Sequence, residues 1–223
     1  MRCAPSPRAN ASPSAAGNPV AKRHTTPIIG VLAVQGDFAE HIRMLESLGV
    51  EGREVRLPAD LNGVDGLILP GGESTAMRKL LHRWDLVKPI KALAKRGAPI
   101  LGTCAGAILL ATKIADGDEP VLSLLDIEVR RNAFGRQLES FETSLVMEGF
   151  GKEGRSRTIQ AVFIRAPEIV KVGPSARAVA TLEDGRIVAA RQGRILGIAF
   201  HPEITGETGV HRWLVAEATA ALG

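Results

Sequence analysis

The residues best suited to chemistry lie in three short segments. The first is Gly102-Thr103-Cys104-Ala105-Gly106, which follows the apolar run from Ala98 and precedes the helix-forming run from Ala107. A cysteine on so tight a turn projects its thiol at the carboxyl end of a strand, where open α/β sheets bind ligands. The flanking glycines permit a strained backbone and close approach of strand and helix. A helix N-terminus behind the thiol favours its thiolate and offers N–H groups to a developing oxyanion. The plain alternative is a small buried hydrophobe.

The second segment is His201-Pro202-Glu203, directly after Ile195–Phe200. In an extended segment residues two apart point the same way. Glu203 is then expected to hold the His201 imidazole and leave its other nitrogen for a thiol. Pro202 stiffens the geometry by fixing φ. Alternatively, this is a strand-end histidine beside a solvated carboxylate. The third segment, Leu69-Pro70-Gly71-Gly72-Glu73-Ser74-Thr75, exposes backbone amides suited to an oxyanion or a carboxylate. It also reads as a strand-to-helix turn with Ser74 or Thr75 as N-cap. Its spacing matches neither a P-loop nor a dinucleotide fingerprint. A cysteine with a distant histidine and acid suits nucleophilic catalysis, although chain order does not prove contact.

Positioning such groups requires strands that end together. Ile28–Gly36, Val64–Gly72 and the run from Ala98 read as buried parallel strands that run into glycine. After the first, Asp37 can cap a helix with Phe38, Ile42, Leu45 and Leu48 on one face and Gly49 as its stop. A short strand is expected near Glu54–Leu57. A helical stretch from Thr75 is expected to break before Pro89 and close at Gly97, and Ala107–Ala115 reads as a helix. From Val121 to Phe200 come six short β-like runs, expected to add antiparallel strands, with Glu148–Gln160 as a surface loop. Gly209–Leu222 closes the chain as a helix. The alternation predicts a doubly wound, mostly parallel α/β sheet with helices on both faces.

Composition limits the partners. The 223 residues suit one core, with 45% hydrophobic residues and aromatics at only 4% and no Tyr, which argues against base-stacking platforms. The net charge of +4 belongs to the tail: residues 1–26 hold Arg2, Arg8, Lys22, Arg23 and no acid, and the remaining 24 basic residues balance 24 acids. A nucleic-acid partner is therefore not expected. The chain divides into a disordered basic extension, 1–26, and one domain, 27–223. The extension lacks the apolar region of a secretory signal, and no apolar run approaches the ~20 residues that span a bilayer. Two cysteines, Cys3 and Cys104, do not suggest a disulfide framework, so a reducing cytoplasm is expected.

The three segments in this order resemble the triad (class I) glutamine amidotransferases, whose glutaminase domains have a flavodoxin-like fold. The runs GVLAVQGDFAEHI, LILPGGEST, GTCAGAILLA, RNAFGRQLESFE, FIRAP and HPE narrow the resemblance to the glutaminase subunits of pyridoxal 5′-phosphate synthase, from Ile28 to the end. The resemblance implies that Cys104 is the nucleophile, His201 the general base and acid, and Glu203 the residue orienting it. Backbone amides of Gly72 and Ala105 would form the oxyanion hole. Gly72, Glu73, Ser74, Arg131, Ile164 and Arg165 would contact L-glutamine, and Gln35 would couple the site to a partner. That partner would be the synthase (lyase) subunit, in a hetero-oligomeric complex that uses the released ammonia. No metal or organic cofactor is implied. His41, His82 and both tryptophans read as surface or core, without a role. Two other readings stay open: the glutaminase of a different amidotransferase or a cysteine peptidase relative, and a non-catalytic docking module. The first would lack the PGGEST and RNxFGRQ pair, and the second would lack a triad member.

Overall fold

The computed structural model describes residues 26–131, 140–151 and 154–222. Apart from Thr26, the expected disordered extension lies outside these residues, as does most of the RNAFGRQ run. The chain forms strand β1 (Ile28–Leu32), helix α1 (Phe38–Ser47), β2 (Glu51–Val55), β3 (Gly66–Leu69), α2 (Ser74–Arg83), α3 (Val87–Lys95), β4 (Ile100–Thr103) and α4 (Ala105–Leu110). Strands β5 (Ala111–Ile114), β6 (Leu125–Arg130), β7 (Ser140–Met147), β8 (Arg157–Ile164), β9 (Glu168–Val172), β10 (Arg177–Thr181), β11 (Ile187–Gln192) and β12 (Ile195–Ile198) follow. Helices α5 (Pro202–Thr205) and α6 (Gly209–Leu222) end the chain.

The main sheet has the order β2-β1-β3-β4-β12-β11-β9-β6-β5, with β10 beside β11, while β7 and β8 form a separate antiparallel hairpin. The first five strands are mutually parallel. Strand residues alternate between two apolar layers, as buried parallel strands require. Leu67 and Leu69 pack with Met77, Leu81, Ile90, Leu93 and Leu109 of α2, α3 and α4. Ile29, Val31 and Ile68 pack with Leu45 of α1, Val210 and Leu214 of α6, and Phe163 of the β7–β8 hairpin. Helices therefore cover both faces, as expected. None of the helices among the described residues is long and apolar enough to cross a membrane.

The element boundaries differ from the sequence reading in instructive places. The expected helix over Ala107–Ala115 stops at Leu110, because Ala111–Ile114 pairs parallel with β6 and the β-branched Thr112 and Ile114 suit the ladder. The break between α2 and α3 falls at Trp84–Leu86, with Asp85 at φ 53°, and Pro89 sits inside the first turn of α3, where its missing N–H is tolerated. Glu73 caps α2, not Ser74 or Thr75: its carboxylate accepts from the N–H groups of Thr75 and Ala76 at 3.0 and 2.6 Å. The Asp37 side chain makes no capping bond to α1. Strand β2 begins three residues before the expected strand and ends at Val55. Strand β9 was not among the expected runs, its alternation being too short to stand out. The expected loop to Gln160 is shortened, because Arg157–Gln160 joins β8.

Candidate active site

The topology delivers the three chemical segments to one end of the parallel strands. After β4 the chain builds the antiparallel strands, then returns through the β11–β12 hairpin to lie parallel beside β4. The register pairs Ile198 with Thr103, and the Cys104 N–H donates to the Ile198 carbonyl at 2.8 Å. His201 therefore emerges beside Cys104 although 97 positions separate them in sequence. The His201 N–H is fixed in turn by the Val162 carbonyl of β8 at 2.8 Å.

Cys104 stands between β4 and α4 with φ 48° and ψ −105°, a conformation that L-residues rarely adopt and that lifts the side chain clear of both elements. Gly106 makes the turn possible: a Cβ there would lie 1.9 Å from the Leu69 carbonyl oxygen. The thiol is free and almost buried. Ala105 opens α4, where an N–H has no intrahelical acceptor.

The His201 Nδ1 meets Glu203 Oε1 at 2.7 Å, and both side chains are buried. The expected extended geometry is not how this contact forms. Pro202–Thr205 is a helical turn with His201 as its N-cap, and Glu203 reaches back from the first turn of that helix. Burial opposes charge on His201, but hydrogen bonding to Cys104 and Glu203, and the charge on both, outweigh it and push its pKa up to about 10. The ring is accordingly an imidazolium at neutral pH.

These groups face a cavity of about 800 Å³. Among the expected residues, Cys104, Ala105, His201, Gly72, Glu73 and Ser74 line it. Arg131, Ile164, Arg165 and Gln35 line it as well, while Glu203 stands behind His201. Glu73 faces the cavity with its carboxylate already committed to capping α2. Its N–H donates to Gln35 Oε1 at 2.8 Å, so Gln35 ties the end of β1 to the glycine turn after β3. Gly72 sits at φ 151°, and a Cβ there would collide with the Gln35 amide. Arg131 reaches Asp118 Oδ2 at 2.8 Å and Asp116 Oδ2 at 3.2 Å. Arg165 is held at φ 42° just after β8.

The sequence suggested Asp37 only as a helix cap, yet its Oδ2 is 3.8 Å from His201 Nδ1, and it gave no sign of the cavity residues Asp116 and Ile204. It also gave no role to His41, which is fully buried with its Nε2 3.5 Å from Glu203 Oε2. The helical spacing of His41 from Phe38 and Leu45 was the available signal. Asp37, His201 and Glu203 bring donor atoms within 4.8 Å of one another. The His201–Glu203 hydrogen bond already occupies the facing atoms, so this is a poor cradle for a metal.

Comparison with known proteins gives the family and the fold. The model of the SNO glutamine amidotransferase family matches residues 31–220. The chain belongs to that family. A curated pyridoxal 5′-phosphate synthase subunit PdxT from Herpetosiphon aurantiacus is 55% identical over 186 residues, 82% of this chain and 96% of that protein. Its namesake from Clavibacter sepedonicus is 49% identical over 199 residues, 88% of this chain and 93% of that one. A solved structure described as a glutamine amidotransferase superposes with a TM-score of 0.78 at 43% identity, covering 85% of this chain and 98% of its own. The structure of PurLQS from Thermotoga maritima, at 22% identity and a TM-score of 0.65, shares the fold. The family's doubly wound sheet, with its added antiparallel strands, is the one described above.

Proposed function

We propose that the chain is the glutaminase subunit of a pyridoxal 5′-phosphate synthase. It hydrolyses L-glutamine to L-glutamate and ammonia at Cys104 and delivers the ammonia to a lyase subunit. The reading is carried by the His201 ring, held by Glu203 at 2.7 Å and lining with Cys104 one cavity that suits an amino acid. Membership of the family and the names of the curated relatives support the synthase assignment.

The reaction divides into two steps. Cys104 Sγ bonds to the side-chain amide carbon, and the resulting oxyanion accepts from the Gly72 and Ala105 N–H groups. His201, protonated at rest, gives its proton to the amide nitrogen as the C–N bond breaks and ammonia leaves. Acylation removes the hydrogen bonding and charge by which Cys104 raises the His201 pKa, and burial then favours the neutral ring. His201 thereby becomes able to take a proton from water as it attacks the thioester and frees glutamate. Glu203 fixes the ring throughout.

Arg131 and Arg165 would meet the α-carboxylate, and Glu73, Ser74, Gly72 and Ile164 would shape the rest of the glutamine site. Through its bond to the glycine turn, Gln35 would transmit docking of the lyase subunit to the oxyanion hole. A free Cys104 as nucleophile suits the reducing cytoplasm, where we place the complex.

The test is ammonia release from glutamine by the chain with and without the lyase subunit. Cys104→Ala should lower kcat by at least about 10³-fold while leaving complex formation intact. Undiminished activity in that variant would overturn the reading.

A further inference from the structure

The triad carboxylate is only half accounted for. Glu203 Oε1 is taken by His201, whereas the buried Oε2 has no hydrogen-bond partner. A buried carboxylate oxygen without a donor is costly. The nitrogen facing it is His41 Nε2, 3.5 Å away, with both side chains wholly buried. His41 lies on the inward face of α1, where a hydrocarbon would pack without penalty. Its Nε2 is also 3.2 Å from the hydroxyl of Thr103, the neighbour of Cys104, and its Nδ1 is 2.9 Å from His211 Nε2 on α6. One ring thus joins α1, the end of β4, α5 and α6 behind the proposed catalytic groups.

We infer that His41 is a positioning residue: its Nε2–H holds the second oxygen of Glu203 and so fixes the carboxylate that orients His201. The inference rests on the glutaminase reading above. Burial above all, with repulsion from the His201 imidazolium, lowers the His41 pKa well below its ordinary value, so the ring carries one proton. Two chains of hydrogen bonds can satisfy the pair. In one, His211 Nε2–H donates to His41 Nδ1, which leaves His41 Nε2–H for Glu203 and Thr103. In the other, His41 Nδ1–H donates to His211, and a lone pair on His41 Nε2 confronts a carboxylate oxygen. The second has its own support, since His211 Nδ1–H would then face the Glu207 carbonyl and the Thr103 hydroxyl could donate to His41 Nε2. It nonetheless leaves a buried carboxylate oxygen without a donor. The first supplies that donor at the cost of a neutral His211 Nδ1 lone pair, the smaller loss.

Two measurements decide it. Long-range ¹H–¹⁵N correlation spectra of the full chain should show His41 as the Nε2–H tautomer, and an Nδ1–H ring would overturn the inference. In the complex with the lyase subunit, His41→Leu should lower kcat about tenfold to a hundredfold with KM little changed, the kinetic equivalent of one hydrogen bond to a charged group. His41→Gln, whose amide places N–H groups near Nε2, should recover much of that loss. Equal kcat in the Leu and Gln variants would sink the idea. The tautomer is read from the unmutated protein, so it decides the contact even where His41→Leu fails to fold. A Cys104→Ala control that keeps full ammonia release would instead indict the glutaminase reading, leaving the tautomer result intact.

Discussion

The two halves of the main sheet solve different problems with the same material. In the parallel half, β2-β1-β3-β4-β12, the turns at the carboxyl ends are packed so closely that two glycines press on neighbouring backbone: a Cβ on Gly36 would lie 1.8 Å from the Gly71 oxygen, and one on Gly106 would lie 1.9 Å from that of Leu69. In the antiparallel half, Gly185 and Gly193 turn in open space, with nothing within 4 Å of an added Cβ. The first half carries the reacting groups on these tight turns; the second adds Arg131 to the cavity wall. Within the main sheet, backbone pressed on backbone is found at the turns that carry the reacting groups.

The contrast can be broken directly. Gly106→Ala must push α4 from β3 and should cost about 3 kcal/mol or more, taking glutaminase activity with it. Gly185→Ala, at φ 86° but unobstructed, should cost about 1 kcal/mol and leave activity unchanged. Denaturant midpoints and ammonia release on both variants check this, and equal costs would mean that the two halves are packed alike.

Acid should also attack the parallel half first. His41 and His211 are buried and neutral, with burial the main cause of their lowered pKa values, about 4 for His211. The unfolded chain takes up these protons near pH 6.5 and the folded chain does not. Stability from these rings is therefore complete above about pH 6.5 and is lost as pH falls toward 4, by roughly 3 kcal/mol for His211 alone. Asp60 and the exposed Asp116, held low chiefly by backbone hydrogen bonds, lose their contribution only below the ordinary 3.8. Urea unfolding at pH 7 and 4.5 should show the loss, and His211→Phe should flatten it.

The same division explains what the sequence made legible. Buried parallel strands ending in glycine are loud signals, and Cys104 and the Gly71–Gly72 turn sit where those signals end. His201 and Glu203 instead follow Ile195–Phe200, a run expected among the antiparallel additions that in fact pairs parallel with β4. The contact of His201 with Glu203 was expected for a wrong local reason, since a helical turn forms it where an extended segment was foreseen. Its cause is non-local: the pairing of β12 with β4 and the bond to Val162. Strand β9 was missed because its half-buried residues alternate weakly, and its place is set by β6 and β11, far away in sequence. His41 looked like ordinary filling because only the tertiary fold brings Glu203 to it.

Turnover should therefore rest on the parallel half, while the antiparallel half should contribute to affinity alone. Arg131, at the end of β6, is the sharpest probe. Its guanidinium is paired with Asp116 and Asp118 and touches the Thr75 hydroxyl at 3.4 Å, so an incoming α-carboxylate exchanges one anionic partner for another. The net gain on binding is smaller than for a free arginine. Arg131→Ala should raise KM for glutamine about tenfold, with kcat within a few-fold of the parent, because the lost contact is shared by ground state and transition state. Lysine should not restore it, since a single ammonium lacks the planar fork that meets both oxygens of a carboxylate. Steady-state kinetics on the assembled complex read the split. A fall in kcat at unchanged KM would place Arg131 with the turnover machinery and erase the distinction between the halves.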